Sequence, residues 1–449
     1  MADHNLTIYT PDGMPVDSGA VEQMHTCLDA GDGLAGVLCA DHHLGYSMPI
    51  GGAIAYEDYL SPSGVGYDIG CGNKAVATSL LYSDIRSDMP RIMDEIFRRI
   101  SFGVGRPNDE PIDHPVFDRI NRDAPMSGVR DLLGTARKQL GTVGSGNHYV
   151  DIFAEEGTDR VWVGVHFGSR GFGHKIASGF LALAQNKEFT DHAGGGEMYS
   201  PPVLLHADSP LGYLYAESMA IAGEYAYAGR DTVVNKVLEI LGNPAVTHEV
   251  HNHHNFAWLE DTPFGRAWVV RKGSTPLYPG QQGFVGGSMG ENAVIIEGKD
   301  SDDLSGRELA AGDNALWSAP HGAGRAMSRT EAKGKSRKRA VCQTCGHTQG
   351  KGEPTFGFQA GPCPECGHRE VRKIWVQETE GKIDWKAAKK NLKRQGIELR
   401  GGDADEAPGA YKRLPAVLEA HSAYVRVVTS LRPVGVAMAG EGTYDPFKD

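Results

Sequence analysis

Glycine punctuates this chain so densely that most of it cannot form long uniform elements: 59 of 449 residues are glycine, including four of the nine in GVGYDIGCG, residues 64–72. Glycine loses more backbone freedom on folding than any other residue, so this density marks turns that other residues do not permit. Short apolar runs lie between the glycines. VWVGVH (161–166) alternates Val161, Val163 and Val165 and reads as a strand with His166 at its end, while AWVVRKG (267–273) and AVIIEG (293–298) read as buried strands. MPRIMDEIFRRIS places Ile92, Ile96 and Ile100 at helical spacing, and the alanine-rich segment 213–242 predicts a long helix. No internal repeat is evident. Interleaved elements of both kinds predict an α+β or α/β domain.

Apolar content of 40% and charged content of 23% suit a soluble globular protein. No run approaches the roughly 18 apolar residues of a membrane span, and MADHNLTIYTPDG lacks the charged flank and apolar centre of a secretory signal, so a cytoplasmic protein is expected. A net charge of −12 argues against coating nucleic acid by bulk electrostatics but leaves room for local basic surfaces. The seven cysteines, at 27, 39, 71, 342, 345, 363 and 366, are odd in number and unevenly spread. That pattern suits metal or thiol chemistry in a reducing compartment better than a disulfide framework.

Composition shifts at residue 333, where KGKSRKR opens a basic segment. Cys342-x-x-Cys345 and Cys363-x-x-Cys366 follow, separated by 17 residues, each pair followed by a glycine that releases the turn. Two such knuckles hold tetrahedral Zn²⁺, and four thiolates leave no open position for chemistry, so a structural zinc ribbon is expected, either architectural or touching nucleic acid. His347 and His368 are adjacent alternative ligands. In DWKAAKKNLKRQG, Lys386, Lys389, Lys390 and Lys393 share one helical face and Trp385, Ala388 and Leu392 another, with Asp384 as N-cap and Gly396 as stop. The lysine stripe reads equally as a solvated face or a phosphate track.

Catalytic metal chemistry calls for ligands scattered along the chain and set by turns. GSGNHYVD with Asn147 and His148, HFGSRGFGH with His166, HNHHN, and SAPHGAGR with His321 fit that description. Spacing alone does not choose among His248, His251, His253 and His254. A thiolate, a carboxylate and several imidazoles suit Mn²⁺ or Zn²⁺, and Cys71 could bridge two ions. GGSMG (286–290), with Gly287 and Ser288, and HGAGR (321–325), with Gly322, Gly324 and Arg325, could present backbone N–H groups to phosphates. AKGKS ends like a phosphate-binding loop, but Arg329 stands where that pattern needs glycine.

Ten motifs, in order from about residue 40 to the C-terminus, resemble the RtcB family of GTP- and Mn²⁺-dependent RNA ligases: DHHLGYSMPIGG, GVGYDIGCG, GSGNHYVDI, HFGSRGFGH, HNFAWLE, RKGSTP, GGSMG, APHGAGRAMSR, DEAPGAYK and LRPVGV. The resemblance implies a single large α+β catalytic domain around a dinuclear metal cleft, residues 1–340 and 373–449; the segment 341–372 lies outside the family pattern and reads, on its cysteine spacing, as a zinc-ribbon insertion. It implies that Asp68, Cys71 and His148 hold one Mn²⁺ and Cys71, His166 and His254 the other, which singles out His254 within HNHHN. It further implies that His321 takes GMP from GTP, that Asn147 contacts phosphate, that Ser288 lies in the guanylate pocket and that Tyr411 stacks on guanine. The expected reaction joins an RNA 3′-phosphate or 2′,3′-cyclic phosphate to a 5′-hydroxyl through guanylylated His321 and an RNA–GMP intermediate. An activating partner of the archease kind is compatible with it.

Three positions depart from the family pattern. Gly70 replaces asparagine in DINCG, Met438 replaces a lysine near the guanine edge, and Asp151 stands where glutamate is common. With the added ribbon, they suggest a divergent branch that repairs a structured RNA. Two other readings compete: a dinuclear phosphodiesterase that opens cyclic phosphates without using His321, and a non-ligating RNA-binding protein built on the ribbon and basic helix.

Overall fold

The computed structural model describes residues 5–31, 33–193, 198–441 and 443. Its architecture mixes helices and sheets, as an α+β domain should. One sheet has five strands in the spatial order Leu6–Ile8, Ala35–His43, Ile50–Tyr56, Gly265–Lys272 and Asn255–Thr262. The other has eight: Gln282–Val285, Ala293–Gly298, Val425–Met438, Tyr149–Glu155, Arg160–Phe167, Gly72–Leu81 and Val246–His253 in order, with Glu398–Arg400 paired beside Val425–Met438. Among the described residues no helix is long and apolar enough to cross a membrane.

The period of two in 161–165 places Val161, Val163 and Val165 against Ile92, Met93 and Ile96 of the helix Met89–Arg99. The opposite face is also covered, because Trp162 packs with Phe153 and Phe284. The long helix runs from Pro210 to Ile240, capped by the Ser209 hydroxyl accepting from the Gly212 N–H. It joins two cores: Tyr215, Met219 and Tyr225 belong to one, Val233 and Val237 to the other.

Adjacent strands of the eight-stranded sheet set the site by ending together. Gly72 pairs with both Phe167 and His253, and Tyr149 pairs with His166. Residues 71, 148, 166 and 254 therefore gather at one sheet edge, within a residue of these strand ends. His254 is also where the chain leaves the eight-stranded sheet and enters the five-stranded one, so the site lies on the seam between them.

The basic run 334–342 is a strand, not a loop: Gly334–Cys342 pairs antiparallel with Val371–Glu380, and residues 341–372 lie at the far end of this hairpin. The helix Trp385–Arg394 follows, with the Asp384 carboxylate accepting from the Ala387 N–H and Leu392 buried under it.

Candidate active site

Asp68, Cys71 and His148 bring their ligand atoms within 4.8 Å of one another, and so do Cys71, His166 and His254. Cys71 belongs to both groups. Its Sγ lies 3.7 Å from His148 Nε2 and 3.3 Å from His166 Nε2, His166 and His254 approach at 3.3 Å between Nε2 atoms, and His148 Nε2 sits 3.0 Å from Asp68 Oδ2. His148 Nδ1 donates to the Val143 carbonyl at 2.9 Å, which leaves the Nε2 lone pair toward Cys71 and Asp68. Burial holds the pKa values of His166 and His254 well below the ordinary histidine value, so both imidazoles are neutral, the form that ligates. Burial pushes the Cys71 thiol well up, and a nearby cation would reverse that direction. A shared sulfur, three imidazoles and a carboxylate so close together fit a pair of divalent transition metals.

Strand pleating separates the four histidines of residues 248–254. His251 and His253 turn toward the buried Arg230, whose Nε donates to His251 Nε2 at 2.9 Å and whose Nη2 lies 3.0 Å from His253 Nδ1. His248 bonds Gln282 at 2.7 Å. Only His254, just past the strand end, faces Cys71; its N–H donates to the Cys71 carbonyl at 2.8 Å.

His321 stands beside this cluster, its ring centroid 4.7 Å from that of His254. Asp41, fully buried at the end of its strand, accepts from His321 Nδ1 at 2.8 Å and from the His321 backbone N–H at 3.1 Å. Burial opposes ionisation of Asp41, but the His321 hydrogen bond and the charge of Lys412 prevail and hold its pKa below the usual carboxylate value. Lys412 is anchored by the carbonyls of Ala40 and His42, at 3.0 and 2.8 Å. The chain turns under Asp41 at Gly324, whose φ of +71° and contact with the Asp41 backbone exclude a Cβ. Asp41 stands in DHHLGYSMPIGG with no local sign of this task, because its partner lies 280 residues away.

Asp41 is buried behind His321, and Asp68, Cys71, His148, His166, His254 and His321 open on one cavity of about 1240 Å³. Asn147, Gly287, Ser288, Gly322, Gly324, Arg325 and Tyr411 line it too. Arg325 lies over the Tyr411 ring, 5.1 Å from its centroid, and Nη1 donates to the phenolic oxygen at 3.3 Å. Tyr411 donates in turn to Glu406, which also pairs with Arg329. Arg170, which also lines the cavity, approaches His148 at 3.4 Å and lies outside the residues the motifs point to.

The departures have structural settings. Gly70 has φ +70°, a left-handed conformation that asparagine also visits, and its carbonyl accepts from Arg230 Nη1 at 2.9 Å. Met438 is 5% exposed and packs with Met289 and Leu392, so the cavity has an apolar wall there. Asp151 Oδ1 and the Tyr149 hydroxyl are buried without a partner beside it. Burial pushes the Asp151 carboxyl well above its ordinary pKa.

In the hairpin, Cys342, Cys345, Cys363 and Cys366 place their sulfurs within 4.8 Å of one another. The two knuckles are built alike. The Cys342 N–H donates to the His347 carbonyl at 2.9 Å and the Cys363 N–H to the His368 carbonyl at 2.8 Å. Both histidines thus contribute backbone oxygen to the knuckle turns, while four sulfurs suffice for a tetrahedral ion.

Side chains able to ligate metal on a sheet seam, opening on a cleft beside a carboxylate-held histidine, define a candidate metal-dependent enzyme of mixed α and β structure. A family model described as tRNA-splicing ligase RtcB matches residues 33–125 and 117–353, and the chain belongs to that family. It is 29% identical to the tRNA-splicing ligase RtcB of Pyrobaculum aerophilum, over 89% of this chain and 87% of that one. It is 30% identical to the RNA-splicing ligase RtcB of Escherichia coli, over 65% of this chain and 74% of the relative. The Archaeoglobus fulgidus tRNA-splicing ligase RtcB is 26% identical, over 94% and 91%.

Proposed function

We propose that this protein is a GTP- and Mn²⁺-dependent RNA ligase that joins 3′-phosphate or 2′,3′-cyclic phosphate ends to 5′-hydroxyl ends. The observation that carries this reading is His321, held through Nδ1 by Asp41 and standing against the Cys71–His166–His254 group. With Nδ1–H donated to Asp41, the lone pair is at Nε2, the nitrogen that would attack the α-phosphorus of GTP. The P–N bond forms as the bond to pyrophosphate breaks, and the Asp41 carboxylate offsets positive charge on the ring. A 2′,3′-cyclic phosphate end is first opened by water, which adds at phosphorus as the bond to O2′ breaks; an RNA 3′-phosphate oxygen then attacks the bound GMP phosphorus and the imidazole leaves with its electron pair. Finally the 5′-hydroxyl attacks the 3′-phosphate and GMP departs. A phosphate is a poor electrophile without a good leaving group, which is the task the guanylate serves.

Asp68, Cys71 and His148 would hold one Mn²⁺, and Cys71, His166 and His254 a second. Bound there, the cations would neutralise phosphoryl oxygens and reduce charge repulsion on approach of the nucleophile. Gly287, Ser288, Gly322 and Arg325 would bind phosphates, Asn147 an RNA or nucleotide phosphate, and Tyr411 the guanine face. Cys342, Cys345, Cys363 and Cys366 would hold one structural Zn²⁺ in an insertion at 341–372 between catalytic segments 1–340 and 373–449. A cytoplasmic location and an archease-like activator accord with this reading.

Incubation with α-labelled GTP and Mn²⁺ tests it. An acid-labile adduct on the protein, absent from His321→Ala, is expected. Metal-dependent opening of cyclic phosphate without any adduct would instead mean a phosphodiesterase, and RNA binding without either activity a binding module.

A further inference from the structure

The zinc-bearing hairpin has a charge opposite to that of the rest of the chain. Residues 334–380 hold 8 Lys and Arg against 5 Asp and Glu, a surplus of +3 in a chain of −12, so the remainder carries −15. Charge segregated this way, on an element projecting from the body, marks a surface for a polyanion.

Its chemistry is more specific than charge. Trp375 is 64% exposed on its strand, an unusual position for an indole unless it has a partner. Lys338, its cross-strand neighbour, sets its ammonium 5.2 Å from the ring centroid. Lys373, two residues from Trp375 and therefore on the same face, is exposed as well. On the opposite face, Arg337 and Arg339 share the single carboxylate of Glu378. Lys338 and Lys373 thus set two ammonium groups on the face of the indole. An exposed aromatic flanked by lysines binds a single nucleic-acid strand, with a base on the ring and phosphates on the ammonium groups.

The hairpin's base fixes where such a strand would lead. Its first strand continues directly from the helix Arg329–Lys333, and Arg329 lines the cavity. The returning chain is tied to the same helix by Lys382 N–H to the Glu331 carbonyl, 2.8 Å, and Ile383 N–H to the Ala332 carbonyl, 3.1 Å. Nine residues of strand reach roughly 30 Å from that rim.

We infer that the hairpin is an RNA-docking arm: Trp375 stacks on an unpaired base of the substrate, and Lys338 and Lys373 hold its flanking phosphates, outside the cavity where ends are joined. This rests on the RNA-ligase reading, so the test separates the two. Binding of a fluorescein-labelled stem-loop RNA with a single-stranded tail is measured by anisotropy on the full-length protein. Trp375→Ala, Trp375→Tyr and Lys338→Gln/Lys373→Gln are compared with the wild type, with zinc content and self-guanylylation measured on each.

Trp375→Ala should weaken RNA binding by about 5- to 150-fold, and Trp375→Tyr should retain most of the affinity. The double lysine variant should lower the slope of log affinity against log salt by about 1.4. Guanylylation without RNA should be unchanged in all three. Equal affinity across the variants, or no RNA binding by the wild type, overturns the arm and assigns the exposed indole to a protein partner. Loss of affinity at Trp375 in a protein that never guanylylates would keep the arm and sink the ligase.

Discussion

Asp41 and His321 show how much can depend on one hydrogen bond. The carboxylate fixes the imidazole tautomer, and the tautomer decides which nitrogen is nucleophilic. In Asp41→Asn the amide NH₂ can face Nδ1, moving the ring proton to Nε2 and removing the attacking lone pair. Self-guanylylation is expected to fall by roughly 10²- to 10⁴-fold with thermal stability little changed, the pattern seen when a tautomer-fixing carboxylate is lost. A labelled-GTP time course beside a melting curve checks both halves. Gly324→Ala should be as damaging by a different route, since its Cβ has no space beside the Asp41 backbone; it should lower both guanylylation and the melting temperature. Short distinctive motifs drew attention to Asp68, Cys71, His148, His166 and His321, which the structure brings together. Asp41 was not so marked, since nothing local distinguishes a buried aspartate at a strand end from one that holds a distant ring. The choice of His254 among its neighbours was likewise beyond spacing: it depends on where the strand ends and how Arg230 occupies its other face.

Elements show the same contrast. The valine strand, the long helix and the lysine-striped helix were all readable from periodicity and capping residues, whereas the basic strand Gly334–Cys342 was not. Its alternation is hidden by charge, and its order depends on pairing with VRKIWVQETE and on the cysteine knuckles. A pH-dependent clamp was equally hidden. His421 is fully buried; its Nε2 accepts from the Ala40 N–H at 3.0 Å, and its Nδ1 donates at 2.7 Å to the Tyr424 hydroxyl, which donates onward to the Ser318 carbonyl. Only the neutral ring satisfies that chain, and burial lowers the His421 pKa from 6.5 to about 3. The unfolded chain therefore takes up a proton below pH 6.5 that the native chain refuses, and stability is lost as pH falls from there toward 3. Between pH 7 and pH 5 this group should remove on the order of 2 kcal/mol of unfolding free energy. Urea titrations of wild type and His421→Gln should show their difference shrinking over that range; a constant difference would exclude the clamp.

At the scale of the whole molecule, the acidic body and the basic arm are two electrostatic regions of one chain. The arm contributes little to the cores that hold the sheets: its own cluster consists of Ala340, Cys342, Phe356 and Cys363 with Cys366 and Val371 against them. Cys363→Ser combined with Cys366→Ser should therefore release zinc and unfold the arm while the body keeps its melting transition and guanylylation. Metal analysis and calorimetry on the full-length variant check this, and loss of the main transition would contradict it. The helix Arg329–Lys333 stands at the junction: it carries the arm on one side, while Arg329 reaches Glu406 and, through it, Tyr411 on the other. A single short helix thus couples the base of the hairpin to the cavity wall that carries Tyr411.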